Sequence, residues 1–304
     1  MLIEAHPGFE LVFAAAHSRA GETLRLAGRD LMMASMDAVS LGDVGVVFSA
    51  LPHGASAAWV AKAQRAGAKV IDLSADLRPG QGADTIPDLD APYGLPEINR
   101  DAIRTAQVVA TPGCYPTATL LGLMPLVARD LIAPCTAVIV DAASGVTGAG
   151  NSPRPDLLFG EISEDFRAYG VGNTHRHLGE MRATLDAQGA DVDLLFTPHL
   201  LPVARGILAS ITVTLREPLT DPLSLYRTHY AVEPFVEIAS APPRLREVQR
   251  RNVARIFATP VQHARAPMLQ VFVAIDNLVK GAAGQAIQNA NLVCDIDETT
   301  GLPL

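Results

Sequence analysis

Apolar runs broken by glycine and proline clusters set the pattern of this chain. Residues 9–16 (FELVFAAA) predict a buried strand that ends in His17-Ser18-Arg19-Ala20-Gly21. Residues 44–50 predict a second strand, followed by Leu51-Pro52-His53-Gly54 and a helix over 55–66 closed by Gly67. Third and fourth strands are predicted over 68–73 and 106–110. Strands alternating with helices at this spacing signify βαβ units and a parallel sheet. In such sheets ligands bind beyond the carboxyl ends of the strands, so the turns after these strands are the first places to look for chemistry.

The pattern changes in the second half. Strands are predicted over 136–143, 192–197, 207–215, 235–238, 253–258 and 269–276, with few helices between them. That argues for a mixed or antiparallel sheet in a second domain. One helix is predicted up to about 188, with Asn173 or Thr174 as its N-cap. Another covers 282–293. The stretch 76–101 is loop-rich, 153–172 is irregular, and 1–8 reads as the tail of a helix.

Length and composition narrow the field. With 304 residues and 49% hydrophobic content the chain can bury two cores. A net charge of −8 without a long basic run argues against nucleic acid and against a polybasic membrane surface. No run of about 18 apolar residues is present, and 1–10 does not read as a secretory signal. Cys114, Cys135 and Cys294 are far apart, lack metal-ligand spacing and leave one unpaired in any disulfide scheme; a reducing cytoplasm is the simplest context.

The stretch Val109-Ala110-Thr111-Pro112-Gly113-Cys114-Tyr115-Pro116-Thr117-Ala118 joins the fourth strand to a helix over 119–129. Cys114 thus falls at a helix N-terminus, where free N–H groups and the helix dipole favour a thiolate. The competing reading is a small buried hydrophobe, the commoner fate of a free cysteine. Arg78, in the loop-rich stretch, is a natural anchor for a carboxylate or phosphate. Ser18 and Arg19 follow the first predicted strand, and an arginine there accommodates a 2′-phosphate, which points to NADP over NAD. Gly145 belongs to a glycine-rich loop, 144–151, whose N–H groups suit an anionic or nicotinamide group. It lacks the spacing and lysine of an ATP-binding loop. His177 and Glu180 share a helix face.

Together these segments resemble the N-acetyl-γ-glutamyl-phosphate reductases of arginine biosynthesis. The resemblance rests on ATPGCYPTA (110–118), ALPHG (50–54), DLSADLR (72–78), YGLPE (93–97), SGVTGAG (144–150), HRH with Glu180 (175–180), FTPHLLPVARGI (196–207) and GAAGQAIQNAN (281–291). It implies an α/β fold: a Rossmann-like dinucleotide-binding domain over 1–113 and 281–304, and an inserted α+β substrate and dimerisation domain over 114–280. It implies a cytoplasmic homodimer or homotetramer that uses NADPH to reduce a small-molecule acyl phosphate to its semialdehyde through a thioester on Cys114. His177, or failing it His175, would be the acid–base group, with Glu180 orienting His177. Arg78 and Arg205 would hold the substrate carboxylate or leaving phosphate, or form a salt bridge between domains. Tyr115 would shape the site, and His199 is as readily structural as functional. Ser18, Arg19, Pro52, His53, Gly145 and Asn289 would contact the cofactor. No metal is implied.

Two departures stand out. The family begins with a central strand and a glycine-rich G-x-x-G-x-x-G turn, for which this chain shows no counterpart, so an open sheet edge is expected. Gly179 stands where the family usually has proline, which is expected to soften the His177 turn. Competing readings are an aminoadipyl-phosphate reductase of a lysine route, which would use the same residues, and a non-catalytic assembly partner. Aspartate-semialdehyde dehydrogenase fits HRH at 175–177 poorly.

Overall fold

A computed structural model describes residues 2–26, 28–81, 89–150 and 153–304. Gly82 and Pro87 of the loop-rich stretch, Asn151 of the glycine-rich loop, and Met1 lie outside the described residues. The chain divides into two compact units. The first comprises the described residues of 1–77, 85–111 and 286–302; the second comprises those of 78–84, 112–285 and 303–304. Arg78 therefore belongs with the second unit although it ends a motif that starts in the first.

In the first unit, strands Val46–Ser49, Lys69–Asp72 and Val108–Ala110 form a parallel three-stranded sheet. Alternate residues face opposite cores, as a period of two requires. Val70, Val108 and Ala110 join Val60 and Ala63 of helix Ser56–Arg65 on one face. Ile71 and Val109 join Ile103 of helix Pro96–Thr105 and Ala286 and Ala290 of helix Gly284–Val293 on the other. A parallel sheet covered on both faces explains why its strands read as unbroken apolar runs. The DLSADLR motif closes the turn after Val46–Ser49. Asp76 accepts from the N–H groups of Gly54, Ser56 and Ala57, and Asp72 accepts from the hydroxyls of Ser56 and Ser74.

The structure corrects the strand expected over 9–16. Only Ala15–Ala16 pairs, in parallel with Ala34–Ser35. The rest of the run lines a cleft of about 630 Å³ together with Val46, Phe48 and Trp59. A strand needs a neighbour to satisfy its backbone, and residues 9–14 have no ladder partner among the described residues. Val46–Ser49 is an edge strand of its sheet. Helix Leu2–Ala5 is a single turn, and His6 behind it is tied down by Asn291 Oδ1 at 2.9 Å and by stacking on Phe9. Helix Pro96–Thr105, inside the stretch read as loop, was hidden by the dense Pro and Gly before it.

The second unit is built on a seven-stranded mixed sheet. Its order is Val236–Ile238, Ala254–Pro260, Met268–Ile275, Ile207–Thr214, Ala137–Gly145, Asp193–Leu201, Arg167–Ala168. Ile207, Ala209, Ile211 and Val213 are buried on one face, whereas Ile139 and Leu195 are exposed. Helix Cys114–Val127 packs on this sheet and is buried over most of its length. Pro125 interrupts it, because proline has no N–H to give Leu121. One tyrosine repairs the break, Tyr230 donating to Leu121 O at 2.6 Å, and Tyr226 donates to the next carbonyl, Gly122 O, at 2.5 Å. Tyr226 comes from helix Pro222–His229, which the apolar pattern did not reveal although Asp221-Pro222 is a cap-and-first-turn pair. Among the described residues no helix is long and apolar enough to cross a membrane.

This repair is open to a double-mutant test. Tyr230→Phe should cost about 1–3 kcal/mol in urea unfolding, the range for a buried acceptor that loses its donor. In a Pro125→Ala background the loss should shrink, because residue 125 then donates to Leu121 itself. An equal loss in both backgrounds would show that the hydroxyl acts elsewhere.

Candidate active site

Cys114 is the first residue of its helix, directly after Gly113, and is half-buried. Three segments of the second unit meet at this turn. Glu180 is fully buried and accepts from Gly113 N–H at 2.8 Å. The same carboxylate lies 3.4 Å from Arg78 Nη1, itself buried. His177 opens helix His177–Ala187 and is buried too. A Cβ at Gly113 would stand 2.7 Å from His177 Nε2 and 3.0 Å from Arg78 Nη1, so only glycine lets both approach the residue before the thiol. On the thiol's other side, Gly281 leaves room for Cys114 Cβ.

Glu180 ties the cysteine turn to Arg78. Its carboxylate binds Gly113 and Arg78, and His177 Nδ1 has no hydrogen-bond partner among the described residues. His177 is held instead by its own turn. His175 Nδ1 accepts from His177 N–H at 3.2 Å, which caps the helix start and leaves the proton of a neutral His175 on Nε2. Neither expected N-cap serves. Asn173 spans to Leu194 O and Phe196 N–H, pinning the loop to strand Asp193–Leu201, and Thr174 donates to Val171 O. Gly179 also has a packing reason: a Cβ there would stand 2.9 Å from the carbonyl oxygen of Gly80. That contact, with Gln81 donating to Arg176 O, lays the Arg78 segment over the His177 turn.

Burial governs the ionisation of the site. It pushes the Cys114 thiol up to about 11, against the pull of Tyr115 N–H and Arg78 and with a push from Glu180. Burial likewise holds His177 well below its ordinary value, helped by Arg78, His175 and Arg176. It lowers His175 to about 4, with Arg176 adding to the effect. The helix N-terminus alone suggested a thiolate; the enclosed sulfur reverses that. At neutral pH the resting pair is thiol and neutral imidazole.

The remaining predicted residues are distributed between the units. In the second, Tyr115 is buried and its hydroxyl meets Tyr169 Oη at 2.9 Å and His199 O at 3.4 Å. The His199 ring stacks on Phe166. Arg205 pairs at 3.3 Å with buried Asp276 of the same unit. Gly145 and its neighbours do not offer free N–H groups: those of Gly145, Val146 and Thr147 bond the carbonyls of Gly206, Val203 and Ala204. In the first unit, Ser18 and Arg19 lie on an exposed turn after Ala15–Ala16, with Arg19 paired to Glu22 at 2.8 Å. Pro52 and His53 are exposed on the turn held by Asp76, which His53 Nδ1 meets at 2.7 Å. Asn289 is buried, donates to Gly94 O, and keeps its Oδ1 without a partner. Tyr169 and Asp276 escaped the sequence reading because neither belongs to a chemically suggestive motif. Among the described residues no cluster of three or more His, Cys, Asp or Glu side chains could hold a metal.

A thiol that titrates near 11 should be alkylated slowly at neutral pH. Iodoacetamide labelling of the Cys114 peptide, followed by mass spectrometry, should rise about tenfold per pH unit from 7 to 10 without a plateau. A plateau beginning near pH 6 would instead reveal a resting thiolate–imidazolium pair.

Comparison with known proteins places the chain in a family. Residues 1–106 match the family model "Semialdehyde dehydrogenase, NAD binding domain", and 114–277 match "Semialdehyde dehydrogenase, dimerisation domain". The chain is 44% identical over 329 residues to the N-acetyl-gamma-glutamyl-phosphate reductase of Cellvibrio japonicus, covering 99% of this chain and 92% of that one. Identity to the reductase of Laribacter hongkongensis is 41% over 325 residues, covering 100% and 93%. The fold is that of aspartate semialdehyde dehydrogenase II from Vibrio cholerae, with a TM-score of 0.73 at 20% identity over 93% of this chain and 90% of that one. The enzyme from Candida albicans, solved with NADP, gives 0.72 at 16% identity over 96% and 93%. A cysteine turn built this way, in a chain matched from end to end, belongs to the semialdehyde dehydrogenase family and within it to the N-acetyl-γ-glutamyl-phosphate reductases.

Proposed function

We propose that this protein reduces N-acetyl-γ-glutamyl phosphate to N-acetylglutamate semialdehyde and phosphate, with NADPH as reductant, in arginine biosynthesis. The observation that carries the reading is the meeting of Cys114, His177 and Arg78 at Gly113. An acyl phosphate is a strong electrophile, and sulfur is the suited nucleophile. As the S–C bond forms and the C–O bond to phosphate breaks, the thiol proton passes to His177, a neutral base. Arg78 supplies positive charge for the departing phosphate or the substrate carboxylate. When bound, NADPH supplies the hydride that reduces the thioester carbon. Breaking the C–S bond then frees the aldehyde, and Cys114 regains its proton from His177. Glu180 fixes Arg78 and the Gly113 turn, and His175 caps the His177 helix.

The residues present fit a nicotinamide dinucleotide phosphate. The unpartnered, buried Oδ1 of Asn289 is an acceptor without a donor, and the N–H of a bound carboxamide or a hydroxyl would supply one. Arg19, on its exposed turn, would exchange Glu22 for a 2′-phosphate. Ser18, Pro52 and His53 would contact the same molecule. Gly145 would serve by shape, since its N–H is committed. Arg205, paired with Asp276, would reach substrate only by dividing its guanidinium between that carboxylate and the substrate. The protein would work in the cytoplasm as a homodimer or homotetramer, and the exposed Ile139 and Leu195 of the sheet support association through that face.

Phosphate-dependent reduction of NADP by N-acetylglutamate semialdehyde tests the reading, with the aminoadipate homologue as comparison. Cys114→Ser should abolish turnover. His177→Asn should lower kcat by about 10²–10⁴, the usual worth of a positioned acid–base group. His175→Asn should cost less, through the lost cap. The reverse ranking would exchange the two roles, and activity within about tenfold of the parent for Cys114→Ser would exclude a covalent route.

Arg19→Ala should weaken NADPH far more than NADH in fluorescence titrations, because only NADPH carries the 2′-phosphate. Equal loss for both would remove Arg19 from the cofactor site.

A further inference from the structure

Tyr169 belongs to no motif, yet it touches the group beside the thiol. It follows the two-residue edge strand Arg167–Ala168, whose partners are Leu200 and His199. Its N–H donates to Pro198 O at 3.0 Å. This register delivers its hydroxyl to Tyr115 Oη at 2.9 Å. Tyr115 is buried, adjoins Cys114 in the first helical turn, and sets its ring edge-on to His175 at 5.6 Å, His177 at 6.0 Å and Phe196 at 5.2 Å. Tyr169 presses on His175 as well, with ring centres 5.6 Å apart. The Tyr115 hydroxyl also reaches His199 O at 3.4 Å, a long contact, and the Ser144 side chain. At 2.9 Å the Tyr169 hydroxyl makes a closer contact than His199 O with the ring that walls both histidines.

We propose that Tyr169 is a positioning residue for the reaction: through Tyr115 and His175 it keeps the His177 ring against Gly113, in register with Cys114. The inference rests on the proposed reductase reading. The hydroxyl–hydroxyl bond fixes the rotation of the Tyr115 ring about its axis, and the T-shaped contacts pass that orientation to the imidazoles. His177 is faced by Arg78 from the connecting segment, His175 and Arg176 from its own turn, Glu180 from the next turn, and Cys114 and Tyr115 from the cysteine helix. None of these charges changes when Tyr169 loses its oxygen. What changes is the enclosure, and burial is the largest cause of the depressed values of both histidines.

Tyr169→Phe keeps the ring and removes the oxygen. It should lower kcat about three- to tenfold, the worth of one neutral hydrogen bond expressed as a rate, and leave KM for NADPH unchanged. The acid limb of the kcat–pH profile should move to higher pH as His177 relaxes toward its ordinary value. Tyr115→Phe should do the same, and the double variant should lose no more than either alone. Additive losses, or an unchanged pH profile, would overturn the proposal. Should Tyr115→Phe fail to fold, the profile of Tyr169→Phe alone decides. An independent reading comes from ¹⁵N-histidine spectra: the His175 and His177 ring signals should shift and titrate higher in Tyr169→Phe. Those spectra do not depend on turnover. A parent that reduces no acyl phosphate but shows the shifts refutes the reductase reading and not the positioning, whereas normal turnover with unmoved signals refutes the positioning alone.

Discussion

The site depends on one buried carboxylate. Glu180 lies wholly out of solvent, and a carboxylate there is tolerable only when it is paired and hydrogen-bonded. Its two partners come from distant parts of the chain: Gly113 N–H from the strand-to-helix turn and Arg78 from the end of the DLSADLR motif. Glu180 itself rides on the His177 helix. A single side chain thereby brings the cysteine turn, Arg78 and the His177 helix into one place. Removing it would leave Arg78 buried without that counter-charge and the turn without its acceptor, a larger loss than one ion pair at a surface. Glycines at 80, 113 and 179 complete the arrangement by keeping Cβ atoms out of the contacts.

Much of this was legible in the sequence, for identifiable reasons. Strands buried on both faces leave unbroken apolar runs, so Lys69–Asp72 and Val108–Ala110 were found. Strands covered on one face leave alternation, so five long strands of the second unit were found, differing only at their ends. The run at 9–16 failed because apolar sequence states a wish for burial and says nothing of whether a neighbour exists to pair with. There it became the wall of a cleft. The helix Pro222–His229 failed for the opposite reason, since its length gives little periodicity and only the Asp221 cap announces it.

Site residues divide along a similar line. Cys114, His177 and Arg78 were legible because their chemistry is rare and their positions lie at element ends. Their partners were not. The bond from Gly113 N–H to Glu180 was not foreseen, because spacing on a helix tells which side chains share a face but not which distant backbone N–H reaches them. The glycine-rich loop misled in the same way. Three of its N–H groups are consumed by the 203–206 segment, and no local pattern records a bond to a segment more than fifty residues away.

The charges around Cys114 also say what kind of substrate suits the turn. Arg78 favours the thiolate and opposes an imidazolium at His177, so its two effects on proton transfer between them offset. Glu180 opposes the thiolate, weakening the pull of its own partner. With the nearby charges working against one another, burial decides, and it favours the neutral pair on both sides. In the proposed reaction the sulfur becomes a thiolate only in the course of attack, as its proton leaves for a base that holds it reluctantly. Such a nucleophile needs an electrophile that is already activated and a leaving group that departs as an anion. An acyl phosphate meets both conditions; an unactivated carboxylic acid or amide meets neither, and a thiol held this way stays closed to adventitious oxidants until substrate arrives.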